Sequence, residues 1–301
     1  MITLETHLDR RGGRVRLSTM FESIKQWTAV ITGGVVAWPV ASWVLARMQT
    51  GDGWAGAPLT LCSPLAAALL AAVCGIIGFA AISLVVGRVT NRYTGMLMYG
   101  LCWMIVARRG VPIDALLRHV ADGGGAFGAM YLKFAIETCL WTIPVAALMA
   151  AHVRVSPNEY PNQENRFSPS SIKALACNIV LGAALGWVFL RTEAKGQTVF
   201  GFAAASAIAT TVTRLIWPRC NASILFVAPA AVGVIAAITT LMLGASDPVA
   251  RMAAGDFWAL GRLMPLDAIS AGTFGTALGI GLARSFGAEH HPAMTHPATV
   301  S

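Results

Sequence analysis

The chain reads as an all-α polytopic membrane protein with about eight transmembrane helices, on three observations. Of its 301 residues, 56% are hydrophobic and only 12% charged, against about 25% charged in soluble domains. The charged residues gather between long stretches that contain none. Those stretches repeatedly reach the roughly 20 apolar residues needed to cross about 30 Å of hydrocarbon at 1.5 Å per residue. A soluble fold is thereby excluded. The net charge of +8 bears on topology before nucleic-acid binding, because Lys and Arg collect in cytoplasmic loops.

Residues 1–26 form a basic segment with Arg10, Arg11, Arg14 and Arg16. That cluster suits anionic lipid headgroups, at about 1 kcal/mol per charge near the surface. The apolar run at 27–46 is longer than the roughly 7–15 residues of a signal-peptide core and no cleavage site follows it, so it is read as a retained first span. Further spans are expected at 64–86, 130–151, 174–190, 198–217, 223–244 and 266–283. The stretch Tyr93 to Ala107 is only 15 residues long. It crosses with Arg92 and Arg108 reaching toward the headgroups, or it is a half-span and seven crossings remain. With a cytoplasmic N-terminus, eight crossings put twelve Lys and Arg inside and eight outside; seven put fourteen inside and six outside. Charge alone therefore favours seven. Two short amphipathic segments, Pro112 to Asp122 and Pro248 to Met264, are expected to lie in the interface. The first aligns Ile113, Leu116, Leu117 and Val120 on one face, and the second offers Phe257 and Trp258.

Three short matches recur in the same order. Ser23-Ile24-Lys25 parallels Ser171-Ile172-Lys173; Phe79 to Ser83 with Val89-Thr90 parallels Phe202 to Ser206 with Val212-Thr213; Gly125 to Ala129 parallels Gly272 to Thr276. Either chance among common span residues explains them, or two four-helix units repeat with parallel pseudo-symmetry about the membrane normal. On the second reading the chain divides into a first membrane repeat at 27–151, a polar linker at 152–171 with Ser156-Pro157-Asn158, Asn162 and Asn165, a second repeat at 172–286, and a tail at 287–301.

Intramembrane polar residues carry what chemistry there is. Lys133 and Glu137 lie four apart and are expected to share a helix face and pair. A charge at a span centre is unfavourable by about 2.5–3.5 kcal/mol, so this helix should face the bundle interior. Glu137 then either lines a polar cavity as a proton- or cation-responsive carboxylate, or is a paired structural residue. Pro144, further along, frees the Leu140 carbonyl. Arg214, beside Thr210, Thr211 and Thr213, either reaches to the membrane edge near Trp217 or turns inward toward an anion or Glu137. Asp267 and Asp122 stand where helix N-caps and turn residues are found. Small residues four apart, Gly182 with Gly186 and Gly275 with Gly279, permit close helix approach. Trp27, Trp217 and Trp258 are expected at the interfaces.

Catalytic signatures are absent: there is no G-x-S-x-G, H-E-x-x-H or phosphate-loop spacing, and Gly123-Gly124-Gly125 reads as a hinge. The six cysteines follow no disulfide or zinc pattern, and His290, His291 and His296 lie in a tail without supporting carboxylates beyond Glu289. No cofactor, metal or nucleic acid is expected. The expectation is a non-enzymatic structural or assembly subunit of a bacterial-type cytoplasmic membrane, with its N-terminus cytoplasmic and with partners among lipids, copies of itself or other membrane proteins. The alternative is a transporter or channel-like protein with a path between the halves past Glu137. An embedded enzyme would require Arg118, His119, Asp122 and Asp267 to converge.

Overall fold

The computed structural model describes residues 5–155, 165–192, 194–243 and 248–288, with side chains described from residue 23 onward. The side chains of Arg10, Arg11, Arg14 and Arg16, the central linker residues 156–164 and the histidines at 290, 291 and 296 lie outside the described residues. Among the described residues ten α-helices follow one another: α1 (Glu5–Leu45), α2 (Leu65–Val89), α3 (Arg92–Arg108), α4 (Ile113–Asp122), α5 (Phe127–Val155), α6 (Pro169–Phe189), α7 (Lys195–Ile216), α8 (Ala228–Met242), α9 (Pro248–Ala253) and α10 (Pro265–Ala288). The only extended pairing among the described residues is an isolated bridge between Gln49 and Ala55.

Among the described residues seven helices are long and apolar enough to span a bilayer: Ser23–Leu45 of α1, then α2, α5, α6 and α7, then Ala222–Met242 containing α8, and Pro265–Phe286 of α10. The chain is a multi-pass membrane protein. Local chemistry sets the helix starts. The Asn91 side chain accepts from the N–H groups of Tyr93 and Thr94 (3.1 and 2.9 Å) and caps α3. Ser168 accepts from Ser171 N–H (3.2 Å) with Pro169 opening α6. Gly124, in the left-handed region at φ 66°, closes α4, and Gly125 N–H donates to the Val120 carbonyl (2.8 Å). The glycine triplet thus ends one helix and admits the next.

The short helix α3 is placed by the helices around it. It runs antiparallel to α2, with Gly95 against Ser83 and Trp103 against Gly75, and parallel to α1, with Met98 against Gly33 and Arg109 donating to Ser42 (2.8 Å). At its end, Val111 N–H donates to the Ala55 carbonyl in the α1–α2 loop (2.8 Å). Twelve of its 17 residues are buried. α1, α2 and α10 wrap the helix and leave Leu97, Leu101 and Ile105 as a partly exposed stripe.

These contacts define two faces. One, the near face, holds Ser23, the α2–α3 turn, Ser168 and the 217–221 loop. The other, the far face, holds the 46–64 loop, α4, residues 190–192, and 248–264. On the near side Asn221 N–H donates to Ser171 Oγ (3.0 Å); on the far side Tyr131 Oη donates to the Gly261 carbonyl and Arg262 to that of Leu190 (3.1 and 3.0 Å). The amphipathic segment at 112–122 is α4, burying Ile113, Leu116 and Leu117. The segment 248–264 is α9 followed by a 3-10 turn at Ala259–Arg262.

The core is centred on α10. In its most apolar window 78% of residues are buried, against 22% in α6 at the rim. A Cβ at Gly275 would overlap the Ala203 carbonyl and stand 2.8 Å from Ser206 Cβ; one at Gly279 would overlap the Ala207 carbonyl and stand 2.8 Å from Thr210 Cβ. Gly275 and Gly279 therefore let α10 touch the α7 backbone. Gly182 and Gly186 are looser, at 3.5 Å from Val232 and 3.1 Å from Leu260. Across the middle, Gly100 of α3 fits against Phe274 of α10, and Gly233 of α8 against Thr138 of α5. The third motif match does not occupy equivalent places: Gly125 to Ala129 opens α5, whereas Gly272 to Thr276 lies about two turns inside α10.

Candidate functional site

Glu137 sits on α5, 2% exposed, and its partners come from far away in sequence. Leu59 N–H (2.9 Å) and Trp141 Nε1–H (3.2 Å) donate to Oε1, while Thr60 N–H and Thr60 Oγ1–H (both 3.1 Å) donate to Oε2. Leu59 and Thr60 open the 3-10 turn Leu59–Leu61 directly after Pro58, whose side chain has no capping group. The first N–H groups of such a turn lack internal acceptors, and Glu137 supplies them from another helix. The predicted Lys133–Glu137 pair does not form. Lys133 is exposed beside the lipid-facing Leu132 and Ile136, and the two side chains make no ion pair. Four donors already occupy the carboxylate, so it has no need of the lysine. Beside this turn, burial first and the Glu137 charge second push the Cys62 thiol up to about 12, leaving it a protonated, buried small side chain.

Above Glu137, Trp141 packs edge-on to Trp103 (4.8 Å between centroids), and Trp103 edge-on to Phe79 (4.9 Å). These rings tie α5, α3 and α2 together.

The second buried polar group joins α7 to α10. Lys195 Nζ donates to both oxygens of Asp267 at 2.7 Å, with the Asp267 side chain 1% exposed. Asp267 also accepts from Met264 N–H (3.3 Å). It lies inside the first turn of α10, reaching back to the helix start, so its main role is that of an ion-pair partner and the simple N-cap reading is corrected. A carboxylate in a helix's first turn also meets the positive end of the helix dipole.

A third group lies toward the near face. His152 Nε2 and Ser83 Oγ are 2.9 Å apart, and Ser83 Oγ donates to the Gly95 carbonyl (2.7 Å). With its one proton so used, Ser83 receives the imidazole N–H, and no nucleophile is activated. A Cβ at Gly87 would lie 2.8 Å from His152 Nδ1, and one at Gly95 2.9 Å from Nε2. The imidazole is keyed between two glycines.

The remaining predicted residues do not join these groups. Arg214 Nη1 donates to the Cys220 carbonyl (2.7 Å) in the near-face loop, away from Glu137. Thr210 exchanges hydrogen bonds with Asn178 (3.3 and 3.4 Å), Thr211 donates to the Ala207 and Gly279 carbonyls (2.8 and 3.2 Å), and Thr213 Oγ1 is buried without a partner. His119 pairs with Asp52, Asp122 is exposed, and Asp267 is held by Lys195, so the set required for an embedded enzyme does not converge. Trp27 is exposed and Trp217 and Trp258 are half-buried. No cluster of three metal-ligating side chains exists among the described residues.

Lys195, His152 and the 59–60 turn escaped the sequence reading. Lys195 and His152 stand just outside the expected spans. The signals that point to them are a carboxylate in a first helical turn, a pair of glycines on adjoining helices, and a proline followed by uncapped N–H groups. Models of known protein families, characterised proteins and solved structures all return no match to this chain.

Proposed function

We propose that the protein is a non-enzymatic membrane scaffold, an assembly subunit whose peripheral helices bind other membrane segments. The observation that carries this reading is the fixed state of the deep titratable groups. Glu137 is held by four donors, Asp267 by Lys195, and His152 by Ser83. A transport path needs polar groups that can exchange partners along a hydrated route. The seam between the halves instead has Gly100 against Phe274 and Gly233 against Thr138, with the backbone of Phe274 2.5 Å from where a Gly100 Cβ would stand.

The same reading takes α3 as a crossing helix, which makes eight, and places the near face in the cytoplasm of a bacterial-type cell, with the larger share of Lys and Arg. Two duplicated halves, 27–151 and 172–286, are supported by reciprocal packing: α3 lies on α10, α8 on α5 and α4 on α9.

The test is photo-crosslinking in the native membrane from exposed positions on the rim, Val180 of α6 and Ile77 of α2. Discrete protein adducts at either position are the expected result. Adducts to lipid alone at both, together with solute flux through proteoliposomes of the purified chain that Glu137→Gln abolishes without loss of stability, would overturn the proposal.

A further inference from the structure

A lateral groove of about 460 Å³ runs between α2 and α5, walled by Leu65, Leu69, Val73 and Ile76 on one side and Leu140 and Pro144 on the other. The 3-10 turn forms part of its lining, and Lys133 lies at its far-face end. We propose that this groove holds one acyl chain of an anionic phospholipid from the far-face leaflet, with the lipid phosphate on Lys133.

Dimensions select a chain over a helix. At roughly 30 Å³ per non-hydrogen atom, the share a water molecule takes in the liquid, the volume accommodates about 15 such atoms. A packed helix is about 10–12 Å across and does not fit. Along α5 the lining runs from Lys133 to Pro144, and along α2 from Leu65 to Ile76, each about 16 Å at 1.5 Å per residue. The two walls are antiparallel and equal in length, as a single extended chain requires.

Charge fixes the direction. Lys133 stands six residues inside α5, exposed, with Leu132, Ile136, Leu140 and Ile143 around it on the lipid side. A lysine there extends toward the headgroups and seeks an anion. Glu137 faces the groove one turn deeper, its oxygens committed to Leu59, Thr60 and Trp141. A phosphate is repelled at that depth and attracted at Lys133, while an uncharged tail passes freely. The ligand is identified by this combination of one cation at the mouth and a hydrocarbon slot beneath it. It adds a bound lipid to the scaffold reading and stands without it.

The experiment uses the purified full chain in detergent, stripped of lipid and titrated with phosphatidylglycerol or phosphatidylcholine, with native mass spectrometry counting the adducts. One phosphatidylglycerol per chain is expected to bind, favoured roughly fivefold over phosphatidylcholine, the factor one cation contributes near an anionic headgroup. Lys133→Arg keeps that preference and Lys133→Gln removes it. Val73→Trp, which fills the groove from an exposed position, loses both lipids. Neither Lys133 nor Val73 holds the fold together, so matched thermal unfolding of the variants is expected. An unchanged preference in Lys133→Gln, or full lipid retention in Val73→Trp, overturns the proposal. Competition by inorganic phosphate alone, or a protein adduct from a photo-crosslinker at Leu69, does the same by naming a different occupant.

Discussion

Replacing Glu137 by Gln removes one acceptor oxygen and puts an amide donor in its place. Whichever oxygen is lost, two of the four donors now face N–H groups: Leu59 N–H with Trp141 Nε1–H, or Thr60 N–H with Thr60 Oγ1–H. Each buried group left without a partner costs about 1–3 kcal/mol. The Thr60 hydroxyl can rotate to accept from the amide, so the amide settles on that side and one orphan is relieved. The one remaining orphan gives an expected destabilisation of about 1–3 kcal/mol. Reversible unfolding in mixed micelles, followed by tryptophan fluorescence, measures it. A companion Thr60→Val variant and the double variant give the coupling energy, expected at about 1–2 kcal/mol for groups that share bonds. The reasoning is refuted if Glu137→Gln unfolds within about 0.5 kcal/mol of the natural chain, the range of an unremarkable surface change.

The other buried groups make parallel predictions. Lys195→Met strands Asp267 and should lower stability by about 3–5 kcal/mol, while adding Asp267→Leu should restore most of it, because a well-packed apolar pair replaces a buried ion pair at little loss; the same unfolding assay reads both. Gly275→Ala drives a methyl into the α7 backbone and should cost about 1–3 kcal/mol, whereas Gly182→Ala, which meets only Val232 at 3.5 Å, should stay within about 0.5 kcal/mol. Gly87→Ala should destabilise the natural chain but be tolerated in a His152→Ala background, since the methyl then enters the space the imidazole left; equal losses in both backgrounds would remove His152 as the cause.

The long helices were legible because a span must satisfy its backbone internally and present apolar side chains to lipid over a fixed thickness. The same ruler leaves α3 open between a crossing and a half-span, since burial by α1, α2 and α10 relaxes the length requirement that lipid contact sets. Glu137 stood out as a deep charge, but its partners did not. The four-residue spacing to Lys133 is a local rule, whereas Leu59 and Thr60 reach the carboxylate through a loop fold that no local rule describes. Asp267 was visible as a helix-start residue; Lys195 became its partner only through the packing of α7 on α10. The glycine pair at 275 and 279 proved to be a contact between helices of one chain, a distinction that spacing does not make.

The burial of α10 has a consequence for biosynthesis. The helix around which the others close emerges from the ribosome after every helix it packs against. Arg108 and Pro265 are 157 residues apart, so at about 5–20 residues per second α3 waits roughly 8–30 s for its neighbour. Once α7 is made, Gly100, Ala203 and Ala207 line an open slot until α10 arrives. Lipid or an insertion factor must occupy it and then leave, and a chain halted before Pro265 displays that slot to quality control.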